Sequence, residues 1–126
     1  MMQRDRASAM LGMVVERSDF GHAIVSMVLR DDMMNGHDVT HGGFVFALAD
    51  TAFAIACNDD VTVTLAAGAD ITFLKATRVG QTLRATAVER ALSGRSGIYD
   101  VTVVDETGAV VAEFRGRSLA TDRVVP

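Results

Sequence analysis

The stretch from His41 to Cys57, His-Gly-Gly-Phe-Val-Phe-Ala-Leu-Ala-Asp-Thr-Ala-Phe-Ala-Ile-Ala-Cys, is apolar on every side of a helical repeat, and beyond His41 its only charged side chain is Asp50. Such a run is too long and too rich in alanine for a strand, so it predicts a helix buried in the core rather than one lying on a surface. An unpaired carboxylate among apolar neighbours costs several kcal/mol unless something compensates it. Catalysis is the usual reason for keeping one there.

At 126 residues the chain fits one domain, spanning 1–126, that buries roughly two-thirds of its unfolded surface. A net charge of −4, dispersed Lys and Arg, one Tyr and no Trp supply neither the basic stripe nor the aromatic platform that nucleic-acid binding uses. The longest apolar run is broken by Asp50 and falls short of the roughly 20 residues that a membrane span needs. The segment Met1-Met2-Gln3-Arg4-Asp5-Arg6 has no apolar signal core, so the expectation is a cytoplasmic protein with no membrane partner. Cys57 is the sole cysteine, which excludes an intramolecular disulfide and a multi-cysteine metal site. At the end of an apolar helix it reads as a buried, inert thiol.

Along the chain, Arg6 to Leu11 predicts a turn or two of helix ended by Gly12, and Met13 to Arg30 predicts a hairpin turning at Ser18-Asp19-Phe20-Gly21. Asp31 to Thr40 lacks periodicity and reads as a loop leading to the helix. After Asn58-Asp59-Asp60, the alternation of Val63, Leu65, Ala67, Ala69, Ile71 and Phe73 predicts a long strand with one apolar face, and Gly68 in its middle suggests a bulge or bend. Three more strands follow, Thr82 to Leu92, Ile98 to Asp105 and Val110 to Ala120, separated by glycine-bearing turns that make neighbours antiparallel. One long helix and about six strands give an α+β domain in which a curved antiparallel sheet wraps the helix. Its edge strands make pairing with a second copy an expectation.

The start of a buried helix presents free N–H groups and the positive end of its dipole. Gly42 and Gly43 would let a ligand approach that backbone, which makes them candidate oxyanion donors, although a Gly-Gly pair also serves a tight turn. Asp50 lies seven residues past Gly43, about 10 Å along a helix axis. Groups that serve one carbonyl must sit within about 3 Å of it, so a joint role for Asp50 and Gly43 requires two subunits with antiparallel helices. The alternative is a buried carboxylate satisfied by backbone amides or by Thr51. His37 and His41 have the spacing of a metal pair, but the intervening Asp38 and Val39 and the flanking glycines are poor helix formers and no third ligand is evident. Asn35 reads equally as a polar group near the helix mouth and as half of an Asn-Gly turn. Arg84, Arg90, Arg95, Arg115 and Arg117 default to solvated charge. No nucleotide-binding glycine motif and no serine nucleophile elbow occurs in the sequence.

Asn35-Gly36-His37, His41-Gly42-Gly43, Leu48-Ala49-Asp50-Thr51-Ala52-Phe53-Ala54 and Ala56-Cys57-Asn58 together resemble the hotdog-fold acyl-CoA thioesterases, in particular those of phenylacetic acid degradation. The resemblance continues through Ile71-Thr72-Phe73-Leu74, Gly80 to Ala87, Arg95 to Val101 and Val111 to Ser118. It implies a hotdog fold, a dimer with a continuous sheet that commonly pairs into a tetramer, and no metal or cofactor. The implied activity is hydrolysis of small aryl- or acyl-CoA thioesters, of phenylacetyl-CoA type or hydroxylated derivatives. Carried residue by residue, it makes Asp50 the general base or nucleophile, the Gly43 N–H the carbonyl polariser, and Asn35 and His41 part of the site. Gly42, Phe44, Thr51 and Phe73 would line the substrate, while Lys75 and the Arg95-Ser96-Gly97 region would lie near the CoA arm. Lys75-Ala76 stands where relatives often carry Arg-Pro. Two other readings stay open: a hydratase or dehydratase using His41 with Asp50, and a non-catalytic acyl-CoA-binding oligomer.

Overall fold

Two-residue connections at Phe20-Gly21 and Gly94-Arg95 reverse the chain tightly, with Gly21 and Gly94 at φ 84° and 59°, a region that glycine enters at little cost. In the computed structural model, which describes residues 4–125, the elements are α1 (Arg6–Met10), β1 (Val14–Asp19), β2 (His22–Val28), α2 (Gly42–Cys57), β3 (Thr62–Phe73), β4 (Thr82–Ser93), β5 (Ser96–Val104) and β6 (Val110–Val124). Met1 to Gln3, half of the segment read for a signal core, and Pro126 lie outside the described residues. All six strands join one antiparallel sheet in the order β1-β2-β4-β5-β6-β3. The architecture is thus the expected α+β one. Because α2 intervenes between β2 and β3, the chain crosses the sheet and β3 lands on the far edge, leaving β1 and β3 as edge strands.

The core lies between α2 and the sheet. Leu48, Ala49, Ala52, Phe53 and Ala56 are fully buried against Val25, Ala85, Tyr99, Val101 and Phe114. The Phe53 ring packs on Tyr99 and Phe114, with centroids 5.6 and 5.8 Å away. Gly116 lets it come so close, since a Cβ there would sit 2.7 Å from the Phe53 ring. Among the described residues, no helix is long and apolar enough to cross a membrane.

Several details differ from the sequence reading. His41 is not the first helical residue but the N-cap, and the loop before it contains a short 3-10 turn at Asp31–Met33. Ser96 and Gly97 belong to β5 rather than to the turn, because the turn needs only Gly94 and Arg95. The helix is not covered all round: Phe46, Ala47, Asp50, Thr51 and Ala54 are only partly buried, since the single sheet wraps one side and leaves a stripe facing outward.

The largest difference is on β3. Ala66 pairs with Ser118 but Gly68 with Arg117, so the predicted bulge exists at this point. An extra residue in a period-two pattern turns the alternation over. Ala69, Ile71 and Phe73 consequently sit opposite the inward-facing Gly116, Phe114 and Ala112, whereas Leu65 sits opposite Leu119 on the outer side, both about half exposed (48% and 47%). The single apolar face expected from Val63 to Phe73 is therefore split between the two sides of the sheet.

Candidate active site

At the start of α2 the His41 side chain turns back and its Nδ1 accepts the Gly43 N–H at 2.9 Å. That bond makes Nδ1 the acceptor and leaves the proton on the other ring nitrogen. His41 itself is exposed, and its ring meets Phe44 edge-on at 5.9 Å. The Phe44 N–H turns to the His41 carbonyl at 3.0 Å. Gly42 differs from its neighbours, because its N–H has no acceptor among the described residues. No acidic residue occupies the first turn, so nothing there offsets the positive end of the helix dipole. Of the two glycines, the donor left open is Gly42, whereas Gly43, the donor expected from sequence, is engaged by its own N-cap.

Gly42 also forms part of the wall of an open cleft of about 480 Å³, together with Val45, Phe73, Lys75, Thr77 and Val111. The Phe73 ring lies over Gly42, where a Cβ would meet its Cζ at 2.9 Å. This walls the cleft with apolar surface and leaves one cation, Lys75, on it. Lys75 is held in place by a 2.7 Å ion pair with Asp105 Oδ2, the Asp105 side chain being fully buried. Oδ1 of the same carboxylate accepts from the Thr107 N–H, the Thr107 hydroxyl and the Ala109 N–H. Lys75 and these donors hold the Asp105 carboxyl well below the usual carboxylate range. No sequence pattern signals this pair, whose members stand thirty residues apart.

Asp50 sits two turns further along α2, half-buried, and accepts no hydrogen bond among the described residues. Burial alone pushes its carboxyl above the ordinary value. The alternative partner, Thr51, is committed elsewhere: its hydroxyl donates to the Ala47 carbonyl at 2.8 Å and lies 3.3 Å from the Ser8 hydroxyl. That leaves the carboxylate uncompensated, which is the arrangement that raises proton affinity.

The remaining candidates scatter. Asn35 Oδ1 accepts from the His37 N–H at 2.9 Å and the Val39 N–H at 3.4 Å, so the turn reading of this residue is realised, with only its amide N–H groups left for a ligand. His37 lies in that turn rather than on a helix with His41. Arg95 pairs with Asp122 at 2.8 Å on the surface, and it lines a different cavity, beside Cys57 at the other end of α2. Gly97 is packed shut, with a Cβ there meeting Ser118 Oγ at 2.6 Å. Within one chain, then, Lys75 and the Arg95 region sit at opposite ends of a 16-residue helix, about 22 Å apart along its axis, and do not form one site. Cys57 is buried, and its thiol is pushed up to about 11, chiefly by burial.

A buried helix whose open N-terminus borders a cleft and whose lone carboxylate lies on its uncovered stripe, wrapped on its other side by a six-stranded antiparallel sheet, is the arrangement of a family of thioester-cleaving proteins. Residues 37–112 match the sequence profile of the thioesterase superfamily, and the chain belongs to that family. It is 41% identical over 118 residues to the acyl-coenzyme A thioesterase PaaI of Escherichia coli (strain K12), covering 94% of this chain and 84% of that protein. The solved structure of the E. coli PaaI protein, from the phenylacetic acid degradation operon, superposes with a TM-score of 0.96 at 38% identity, covering 100% of this chain and 91% of that one. A mutant of the phenylacetic acid degradation protein PaaI from Thermus thermophilus superposes with a TM-score of 0.85 at 36% identity, covering 91% and 98%. The hotdog fold that the sequence motifs implied is the fold of this chain.

Proposed function

We propose that this chain hydrolyses acyl-CoA thioesters, with small aryl or acyl groups as its substrates. The observation that carries the reading is the pairing of an unpartnered, half-buried Asp50 with an open Gly42 N–H on one helix. A carboxylate whose proton affinity is raised by burial is a better base at neutral pH than an exposed one. Asp50, or a water that it activates, attacks the thioester carbon. The Gly42 N–H holds the carbonyl oxygen as it becomes an oxyanion, and the Gly43 N–H joins it when the His41 ring swings away. Collapse of the tetrahedral intermediate breaks the carbon–sulfur bond and the CoA thiolate leaves. Where water attacked, its proton has passed to Asp50; where Asp50 itself attacked, water then hydrolyses the mixed anhydride on Asp50 to release the acid.

Gly42 and Asp50 stand eight residues apart, about 12 Å along the axis, too far to act on one carbonyl. The site is therefore shared by two copies whose α2 helices run antiparallel, with Asp50 of one serving Gly42 of the other. The partly uncovered stripe of Ala47, Asp50 and Ala54 supports this reading, since small side chains let a second helix approach closely. So does the long edge strand β3, whose unpaired side is suited to continuing the sheet into a partner. Asn35 and His41 then border the site from the glycine-bearing subunit, and Lys75 fits a contact with the CoA arm.

The test is free-thiol release from a panel of acyl-CoA esters. Asp50→Asn is expected to lower kcat at least about a hundredfold, with circular dichroism and assembly unchanged. Unchanged turnover in that variant would remove Asp50 from the mechanism. A wild-type protein that consumes enoyl-CoA without releasing thiol would instead be a hydratase.

A further inference from the structure

Eight ion pairs join the described residues, and in seven of them both side chains are a third or more exposed. The eighth, Lys75 with Asp105, is built differently: its carboxylate side chain is fully buried while the lysine is 46% exposed. Asp105 lies in the turn between β5 and β6 and does not line the Gly42 cleft, whereas Lys75 does. Its Oδ1 is filled by the two Thr107 donors and the Ala109 N–H, and its Oδ2 takes Lys75 Nζ. The carboxylate therefore has no route to a substrate of its own. Closing a turn needs only one of the two oxygens, as Asp59 shows by accepting the Val61 and Thr62 N–H groups at a single Oδ1 with no cation beside it.

On the cleft side, the second oxygen fixes a cation. A lysine side chain is long and freely rotating, and ordering it anew at each binding event weakens association. Lys75 is ordered beforehand at both ends: its backbone N–H bonds the carbonyl of Val111, itself on the cleft wall, at 3.2 Å, and its Nζ is held at 2.7 Å. Asp105 takes one of the three ammonium protons, which leaves two to donate. No acidic residue lines the cleft, and the open Gly42 N–H at the positive end of α2 borders it. Such a field suits an anion. In a CoA ester with a neutral acyl group, the anionic groups are the phosphates.

We propose that Asp105 is a positioning residue for substrate recognition, its buried carboxylate holding the Lys75 ammonium in the orientation that meets a phosphate of CoA. The assignment rests on the thioesterase reading above. It gives a turn residue that touches no substrate a share in the affinity for CoA, exercised only through Lys75. Without the pair, the tip of the lysine returns to solvent, where its charge is screened and its direction is lost. Asn at position 105 keeps an oxygen for the turn donors but sets an N–H₂ group against Lys75, so the turn is retained and the cation released.

The experiment measures kcat/KM by thiol release for phenylacetyl-CoA and for phenylacetyl-pantetheine, which lacks the phosphates. It uses the wild type, Asp105→Asn, Lys75→Gln and the double variant, each well below its Tm, and calorimetry gives Kd for free CoA with the same proteins. In Asp105→Asn the preference for the CoA ester over the pantetheine ester is expected to fall about tenfold, and Kd for CoA to rise about tenfold. Lys75→Gln should do the same, and the double variant no more than Lys75→Gln alone. An equal loss for both esters overturns the assignment, since Asp105 then serves only the turn. A further fall in the double variant overturns it too, because Asp105 then acts by some other route than the lysine. Tighter CoA binding by Asp105→Asn also overturns it, the carboxylate then drawing charge away from the phosphate. An unchanged preference in Lys75→Gln overturns it whether or not Asp105→Asn folds. If the wild type releases thiol from neither ester, the hydrolase reading falls and the titrations decide the rest: weaker CoA binding by Asp105→Asn upholds the positioning role, and an unchanged Kd overturns it.

Discussion

Two carboxylates in this chain are buried to opposite effect. Asp50 has no partner, and desolvation raises its pKa, so the native state binds its proton more tightly than the unfolded chain does. Below the unfolded value both states are protonated, and as pH rises through the native value, ionising Asp50 costs folding free energy. Asp50→Asn is therefore expected to melt at a higher temperature than the wild type at neutral pH while losing turnover, the gap closing toward about pH 4. A lower Tm for that variant at neutral pH would mean that Asp50 is stabilised by a group that the fold does not show. Asp105 is the reverse case: Lys75 and the Thr107 hydroxyl depress its pKa, giving stability that is present above the unfolded value and lost as pH falls through the native one. Asp105→Asn should lower Tm at neutral pH and narrow its difference from the wild type on acidification, as thermal melts across pH would record.

At the scale of elements, the approach of α2 to the sheet depends on a missing side chain. Gly116 faces the Phe53 ring, which is fully buried and has nowhere to move. Gly116→Ala should cost on the order of 1–3 kcal/mol and lower Tm by several degrees. Gly42 also faces a ring at short range, that of Phe73, but this one is about half exposed (52%) and can swing aside. Gly42→Ala should consequently leave Tm near that of the wild type and lower kcat/KM, since its methyl group intrudes on the cleft. Equal thermal destabilisation by the two substitutions would show that Phe73 is as fixed as Phe53.

For the whole molecule the question is whether one chain holds a complete site. If Asp50 and Gly42 act from different subunits, a heterodimer of Asp50→Asn with Gly42→Val has one intact site and one doubly altered site. Refolding the two inactive variants together should restore about a quarter of the wild-type rate by random pairing of subunits. If both residues act within one chain, the mixture stays inactive, and a thiol-release assay separates the two outcomes directly.

Much of this organisation is legible in the residues. The helix, its glycine entry, the lone Asp50 and the hairpin order follow from periodicity and turn chemistry, which are local properties of the chain. The bulge at Gly68 was legible too, though its consequence was not, because turning over the alternation shows only once β6 lies alongside. Other features depend on contacts that have no spacing to read. The choice of Gly42 over Gly43 as open donor depends on the rotamer of His41, and the Lys75–Asp105 pair joins two turns thirty residues apart. The separation of Arg95 from Lys75 comes from opposite ends of a helix being given different cavities. The pattern of apolar and polar residues thus specifies which elements form and that one carboxylate must be buried, since these depend on near neighbours. Which polar groups are left unpaired in that core depends on the packing of distant segments, and those unpaired groups are where the chemistry is proposed to occur.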